Sequence, residues 1–350
     1  MHLVSGNNGH TIEVITSRMA RMAHLIEKTI RIVGLCASVA NARSIAEWIG
    51  AKAKSSFNFP PHTRPVPVEI HLKGFDDTQF EYRMLAMSKP TIGALTHHAN
   101  DNPVILFAPS RQHTLRIAHD IRIFCEASES PQQFLHCLPD DLLEHIKPIT
   151  NRFLKELLCF GIAIYHEHLT ETEKGIVERL FEAGAIQILI STRNMCWGMT
   201  LSCTMVIIMG TEYYDGKEHR YIDYPIADVL QMIGRANRPN IDSASKCILM
   251  CHSARKEFYK KFLFEALPVE SHLDIFLADH LNTEVFSTTV NDTQDAIDFL
   301  TWTLLYRRLT QNPNYYNLQG VSHRHISDHL SGLVESTLGQ LEEAGCVLLQ

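Results

Sequence analysis

The sequence lacks the features that identify membrane, secreted and common zinc-dependent proteins. Its apolar runs, such as residues 186–191 and 205–210, fall far short of the about 20 residues that span a membrane. The first residues show no basic region followed by an apolar stretch, so no secretory signal is expected. Neither a C-x-x-C pair nor a His-Glu-x-x-His pattern occurs, although the chain has 20 histidines.

The cysteines indicate where the protein resides. There are nine, an odd number, scattered along the chain and often inside apolar stretches, where free cysteine behaves as a small hydrophobic residue. This usage predicts a reducing compartment, either cytosol or nucleus. Cys247, Cys251 and His252 are close in sequence, but their segment has the pattern of a buried strand with side chains on alternate faces. We therefore expect these three residues to be structural and not zinc ligands.

The overall charge excludes a uniformly basic, nucleic-acid-coating surface. The formal net charge is -7, so any nucleic-acid site must be a local groove. With 45% hydrophobic and 20% charged residues, the chain is expected to bury a core and not to be disordered.

Between residues 103 and 252, short apolar strands alternate with amphipathic helices. Strands that are apolar along their whole length are typical of a parallel sheet covered by helices on both faces. From about residue 266 onward, apolar positions recur at helical spacing, which predicts a small, mostly helical module.

The first 90 residues have too few strands to close a domain of their own. Residues 12–28 place apolar side chains on one helical face, residues 30–36 resemble a strand, and a half-buried strand begins at residue 66. We expect the partners of these apolar faces to lie upstream, which would leave residues 1–90 poorly anchored. The predicted regions are therefore 1–90, the end of a domain; 91–265, the α/β domain; and 266–350, the helical module.

Polar and basic residues follow several of the predicted strands. Because loops after parallel strands share one edge of a sheet, we expect them to converge. Arginine suits bidentate phosphate contacts, and short hydroxyl side chains donate to nucleic-acid phosphates. Arg235 and Arg238 are three positions apart at the end of a predicted helix, so we expect one turn to present both to a single phosphate group near Gly198. The alternative for these two arginines is a solvated helix end, where cations are favoured. The candidate residues are Ser110, Arg111, Thr192, Trp197, Gly198, Gln231, Arg235 and Arg238.

Several of these segments together resemble one helicase family. "QMIGRANRP" (231–239) resembles the last motif of superfamily-two DExD/H-box helicases, Gln-x-x-Gly-Arg-Ala-Gly-Arg-Pro, and "ISTRNMCWGMTL" (190–201) resembles the motif before it. "PVILFAPSR" (103–111) resembles the first motif of the second RecA-like domain, and "GLCASVAN" (34–41) stands where the family has Ser-Ala-Thr. "MHL" at the start matches the end of Asp-Glu-x-His-Leu. Residues 213–232, 260–273 and 298–330 further resemble the C-terminal cassette of the large two-cassette spliceosomal RNA helicases, which belong to the Ski-like class with Sec domains.

The resemblance implies a fold and a set of roles. It implies an α/β RecA-like parallel sheet with flanking helices, followed by a mostly helical winged-helix domain. Residues 1–90 would be the C-terminal remnant of a first RecA-like domain, 91–265 the second RecA-like domain, and 266–350 the winged-helix domain. The implied roles are catalysis for Gln231, Arg235 and Arg238; ATP binding for Gly198, Thr200 and the same two arginines; RNA binding for Ser110, Arg111 and Thr192; and coupling for His2, Ala37 and Ser38.

The sequence also departs from the family pattern. It contains no Gly-x-x-x-x-Gly-Lys-Ser/Thr phosphate loop and no Asp-Glu metal-binding pair, so it is expected to be a fragment that binds neither ATP nor Mg²⁺ alone. The family motifs differ at Cys36, Ser38, Asn194, Thr200 and Asn237.

The function implied for the intact parent is that of a nuclear, ATP- and Mg²⁺-dependent RNA helicase in pre-mRNA splicing. Its partners would be an snRNA duplex, spliceosomal proteins and the N-terminal cassette of the same chain. The alternative is a catalytically degenerate pseudo-helicase cassette that serves as a protein-interaction and regulatory platform for an active cassette.

Overall fold

The computed structural model describes Val4, Gly6 and residues 8–263, 265–266 and 268–348. These residues form two compact units. One unit consists of residues from 61–264, and the other combines residues from 1–60 with residues from 265–350.

The secondary structure is mixed. The strands are β1 (Val68–Phe75), β2 (Val104–Ala108), β3 (Ile162–Tyr165), β4 (Ile188–Thr192), β5 (Met205–Met209), β6 (Glu212–Asp215), β7 (Arg220–Asp223) and β8 (Ser245–His252). The helices are α1 (Gly9–Leu25), α2 (Ala42–Trp48), α3 (Phe80–His98), α4 (Arg111–Ala127), α5 (Pro139–Ile146), α6 (Arg152–Leu158), α7 (Glu171–Glu182), α8 (Ile226–Ile233), α9 (Lys256–Phe262), α10 (Leu277–Phe286), α11 (Thr293–Thr301), α12 (Leu304–Gln311) and α13 (His323–Glu343).

The unit from 61–264 is built on the parallel sheet that the sequence predicts. Its six strands lie in the order β1-β8-β5-β2-β4-β3, and every pair is parallel. Every residue of β2, β4 and β5 is buried, so both faces of the central sheet are covered. Strands β6 and β7 form a separate antiparallel hairpin.

The strand near residue 66 has its partner within this unit. Strand β1 pairs with β8 along eight residues, from Val68 opposite Ser245 to Phe75 opposite His252. The expectation that its partner lies upstream is therefore wrong. The sequence could not show this pairing because β8 lies far along the chain. Helix α3 packs against β1, β5 and β8, so the sheet unit extends across residue 90. The three-region division of the chain stays a prediction.

The predicted strand at residues 30–36 is wrong, because this segment is irregular. Val33 is 68% exposed, and in the described part of the chain no strand lies beside the segment to complete its hydrogen bonds. An apolar run without a neighbouring backbone does not form a stable strand.

In the other unit, helices α10 to α13 form the helical module. Helix α13 packs against α10 and α11, around a core that includes Leu281, Phe299 and Val334. Val14 of α1 joins this core. The apolar stripe predicted on α1 is largely exposed, whereas the opposite, more polar face is buried.

Polar contacts anchor that buried face. Glu13 accepts hydrogen bonds from the Ser271 hydroxyl, at 2.6 Å, and from the Leu305 backbone N–H, at 2.8 Å. Arg18 is paired with the buried carboxylate of Glu284. Helix α1 is therefore anchored more firmly than the sequence indicated.

Candidate nucleotide and nucleic-acid sites

The three predicted RNA-binding residues lie at the carboxyl edge of the sheet. Thr192 is the last residue of β4 and lies opposite Ala108, the last residue of β2. Ser110 caps helix α4 and accepts a hydrogen bond from the His113 backbone N–H, and Arg111 is the first helical residue. The structure therefore brings Ser110, Arg111 and Thr192 to one edge.

A carboxylate that sequence reasoning missed also lies at this edge. The Thr192 hydroxyl donates to Glu167 Oε1 at 3.0 Å. That hydroxyl hydrogen is already used, so Thr192 can act only as an acceptor unless the pair opens. The signal in the sequence was the position of Glu167, just beyond the end of β3.

His166, beside Glu167, is buried, with 1% of its surface exposed. Neither of its ring nitrogens has a hydrogen-bond partner among the described residues. Burial lowers the pKa of His166, and the nearby Arg111 guanidinium lowers it further. At neutral pH the ring is therefore an uncharged neighbour of the candidate RNA-binding residues.

Residues 193–204 cross from the carboxyl edge to the amino end of β5. A 3₁₀ turn, Arg193–Cys196, opens the segment. The Arg193 guanidinium lies 3.9 Å from the ring centre of Tyr213, and Trp197 donates its indole N–H to Asp228 at 3.0 Å. These contacts fix the start of the segment against α8 and the hairpin.

Gly198 and Thr200 lie in the same segment and are exposed. A Cβ atom on Gly198 would meet nothing within 4 Å. Nothing in the described residues therefore requires glycine at this position, and its ATP-binding role stays a prediction.

The two arginines of the last motif do not lie on a helix, contrary to the prediction. Helix α8 ends at Ile233, and Gly234 is its C-terminal cap. Gln231 is in the last turn, whereas Arg235 and Arg238 follow the helix. The helical spacing that would place both arginines on one turn does not apply.

Arg235 is held against the segment that contains Gly198. Its backbone carbonyl accepts the Cys203 N–H at 2.9 Å, and its guanidinium donates through Nη1 to the Met199 carbonyl. The Arg235 side chain is half-buried and its Nε has no partner among the described residues. The prediction that Arg235 lies near Gly198 is confirmed.

Arg238 has a different partner. It donates through Nε to Asp242 Oδ2 at 2.9 Å and through Nη2 to Asp242 Oδ1 at 2.7 Å. The Thr204 hydroxyl donates to the same Asp242 Oδ2, also at 2.9 Å. The hydrogen bond from Arg238 lowers the pKa of Asp242, and the same bond raises the pKa of Arg238. Neither arginine is the solvated helix end that was the alternative reading.

The expectation that all these residues converge at one edge is wrong. Cys203 and Thr204 precede β5, and Asp242 precedes β8, so the arginines lie at the amino ends of these strands. Helix α8 begins beyond the carboxyl end of β5 and runs back, which carries its last turn to the opposite edge. The candidate RNA-binding residues and the arginines therefore occupy two edges, connected by residues 193–204.

The coupling residues belong to the other unit. Ser38 donates its hydroxyl to Asn58 at 3.1 Å, and Ala37 is exposed beside it. His2 lies outside the described residues. Their coupling role stays a prediction.

No group of three or more metal-binding side chains occurs in the part of the chain that the structure describes. Cys247 and Cys251 are buried, and burial raises the pKa of both thiols. None of the described helices is long and apolar enough to cross a membrane.

Two domain families match the chain. A helicase conserved C-terminal domain matches residues 89–240, and a winged helix-turn-helix domain matches residues 270–350. The helicase match covers both candidate edges, including Ser110 and Arg238.

Curated relatives match the chain along its whole length. It is 51% identical over 350 residues to the human U5 small nuclear ribonucleoprotein 200 kDa helicase, and 48% identical to that of Drosophila melanogaster. It is 50% identical to the Arabidopsis thaliana DExH-box ATP-dependent RNA helicase DExH12, with 99% of the chain covered. The chain spans about 16% of the length of each of these relatives. The chain therefore combines a RecA-like helicase C-terminal domain with a winged-helix domain, and along its whole length it is similar to DExH-box RNA helicases.

Proposed function

We propose that the chain is part of an ATP-dependent RNA helicase that acts in pre-mRNA splicing. In this proposal the parent protein unwinds an snRNA duplex during spliceosome activation in the nucleus. Its support is the 51% identity to a U5 small nuclear ribonucleoprotein helicase, together with one feature of the structure. That feature is the segment 193–204, which connects the candidate RNA edge with the paired arginines.

The two edges have different tasks in this proposal. An RNA strand contacts Ser110, Arg111 and Thr192, and Arg235 and Arg238 contact the terminal phosphate of ATP. An arginine presented to a transferring phosphoryl group contributes roughly 10³–10⁵ in rate. Because Thr192 immediately precedes the segment that holds Arg235, a displacement at the RNA edge would be transmitted to the arginine.

The cofactors proposed for the parent are ATP and Mg²⁺. Within this chain, Gly198, Thr200 and the two arginines would contact the nucleotide. The sequence contains neither a phosphate loop nor the Asp-Glu pair, so other parts of the parent would provide the phosphate-binding and metal-binding groups.

A regulatory platform is the second candidate function. In this case the chain binds spliceosomal proteins and modulates an N-terminal cassette of the parent. The departures at Asn194, Thr200 and Asn237 favour it. The exposed apolar side chains of α1, such as Ile15 and Met22, also favour it, because such surfaces are typical of protein contacts.

Hydrolysis measurements on the full-length parent distinguish the two candidates. If the chain is part of an active motor, Arg235→Ala lowers the RNA-stimulated hydrolysis of its own cassette at least about 100-fold, measured with the N-terminal phosphate loop inactivated. Arg179→Ala, which changes an exposed arginine on α7, is the matched control and retains full activity. If the parent with the inactivated N-terminal phosphate loop, but without a substitution in this chain, shows no RNA-stimulated hydrolysis, the motor proposal is wrong and the platform is supported.

A further inference from the structure

The guanidinium group of Arg238 has one edge occupied and one edge open. Arginine carries five N–H donors in a planar fork. Asp242 accepts from Nε and from one Nη2 hydrogen. The remaining donors, on Nη1 and Nη2, make no hydrogen bond within the described part of the chain. This open edge has the geometry for a bidentate phosphate contact.

Asp242 is itself fixed to the sheet. Thr204, whose hydroxyl donates to it, is bonded through its backbone N–H to the Pro103 carbonyl at 3.1 Å. The Asp242 backbone N–H donates to the Arg238 carbonyl at 3.0 Å, which closes a tight turn. The Asp242 side chain is only 7% exposed, whereas that of Arg238 is 19% exposed. The carboxylate is therefore the fixed member of the pair and the guanidinium the more accessible one.

We propose that Asp242 is a positioning residue that holds Arg238 by its Nε–Nη2 edge and directs the opposite edge to the terminal phosphate of a bound nucleoside triphosphate. This inference rests on the nucleotide site of the proposed function. A long arginine side chain loses much rotamer freedom when it binds a phosphate. The pair with Asp242 restricts that freedom before the nucleotide arrives, as preorganisation requires.

The opposite role for Asp242 would be that of a competitor that occupies Arg238 until the phosphate displaces it. The open edge argues against competition, because a phosphate can bind Nη1 and Nη2 while the carboxylate stays in place. The two roles predict opposite effects when the Asp242 charge is removed. ATP binding becomes weaker if Asp242 is a positioning residue, and it becomes tighter if Asp242 is a competitor.

The test is nucleotide affinity in the full-length parent, measured with fluorescent ATP and ADP analogues and with the N-terminal phosphate loop inactivated. Asp242→Asn preserves size but removes the charge. We expect it to weaken ATP binding about tenfold and ADP binding less than about twofold, because ADP lacks the terminal phosphate. Thr204→Val, which removes the second anchor of the carboxylate, should weaken ATP binding by a smaller factor in the same direction. Asp242→Glu, which keeps the charge, should weaken ATP binding less than Asp242→Asn does.

A double-mutant cycle tests whether Asp242 acts through Arg238. In the Arg238→Ala background, Asp242→Asn should have no further effect on ATP affinity. Equal losses for ATP and ADP, or tighter ATP binding in Asp242→Asn, would overturn the positioning role. If Arg238→Ala weakens ATP binding and Asp242→Asn does not, only this inference is wrong. If Arg238→Ala has no effect, the nucleotide site of the proposed function is wrong as well.

Discussion

Glu13 is a buried carboxyl group whose titration should be visible in the stability of its unit. It lies on the anchored face of α1, and it accepts hydrogen bonds from Ser271 and from the Leu305 N–H at the start of α12. Burial raises the pKa of Glu13 from its ordinary value of 4.5 to about 7, although these hydrogen bonds lower it. The nearby Asp274 adds a smaller effect that raises it. The contact between α1 and the helical module should therefore weaken when Glu13 ionises.

The sign follows from proton binding in the two states. The folded state holds the Glu13 proton up to about pH 7, whereas the unfolded chain releases it near pH 4.5. The contribution of Glu13 is therefore fully present below the unfolded pKa and is lost as the pH rises through the folded pKa. Each pH unit between the two values changes the free energy of unfolding by about 1.4 kcal/mol, which gives about 3 kcal/mol over the whole window.

The perturbation is Glu13→Gln, which retains an acceptor for the Leu305 N–H and cannot ionise. The quantity measured is the difference in opening free energy between variant and wild type, from hydrogen exchange of α1 and α12 at pH 5 to 8. The difference is needed because burial lowers the pKa of His280, so His280 makes the free energy of unfolding rise with pH, opposite to the effect of Glu13. We expect the stability of Glu13→Gln relative to wild type to increase by about 2–3 kcal/mol from pH 5 to pH 8.

The matched control is Ser17→Ala on the same buried face. Ser17 accepts a hydrogen bond from the Trp48 indole N–H at 3.1 Å and has no titratable group. Removal of the Ser17 hydroxyl should lower the opening free energy by about 1 kcal/mol at every pH. The pH profile of Ser17→Ala should therefore run parallel to that of the wild type. Parallel profiles for Glu13→Gln and wild type would refute the reasoning, because they would show that the carboxyl group does not titrate in this window.

Three further predictions concern the sheet unit and the chain as a whole. Gly161→Ala should destabilise the sheet unit by more than about 3 kcal/mol in urea denaturation, because φ is +75° and the added Cβ would lie 1.9 Å from the Phe134 carbonyl oxygen. Gly184→Ala is its control: φ is +70° but the site is open, so the loss should stay near 1 kcal/mol. In limited proteolysis, β1 should resist cleavage as well as residues 91–265 do, since it is paired along its full length with β8; early cleavage within β1 would contradict this pairing. The 350-residue chain alone should not hydrolyse ATP, because its sequence contains no phosphate loop and no Asp-Glu pair; RNA-stimulated phosphate release by the purified chain would count against this.

The strands that are apolar throughout could be predicted from sequence, but their neighbours could not. Residues such as Ile190 and Ile207 lie in apolar runs that only a sheet covered on both faces buries. The sequence therefore predicts that β2, β4 and β5 are strands of a parallel sheet. The partner of β1 could not be identified, because hydrophobic alternation shows that one face is buried and does not show which strand lies alongside. The exposed segment around Val33 shows the reverse case, an apolar pattern without a partner strand in the described structure.

The candidate site shows the same division between residue identity and contact. The motif resemblance identified Arg235 and Arg238, but it could not show that α8 ends before them. Once the helix ends at Ile233, the tight turn from Arg238 to Asp242 decides where the second guanidinium points, and no helical spacing predicts that turn. Asp242 and Glu167 have no motif role in the sequence reading, yet each forms a hydrogen bond with a residue that has one. Each is acceptor-only when ionised, and each faces a donor, which is why the acidic partners decide how the donors are presented. A motif therefore specifies which donors are available, and the surrounding carboxylates and turns specify which of their N–H and O–H groups remain free to bind a phosphate.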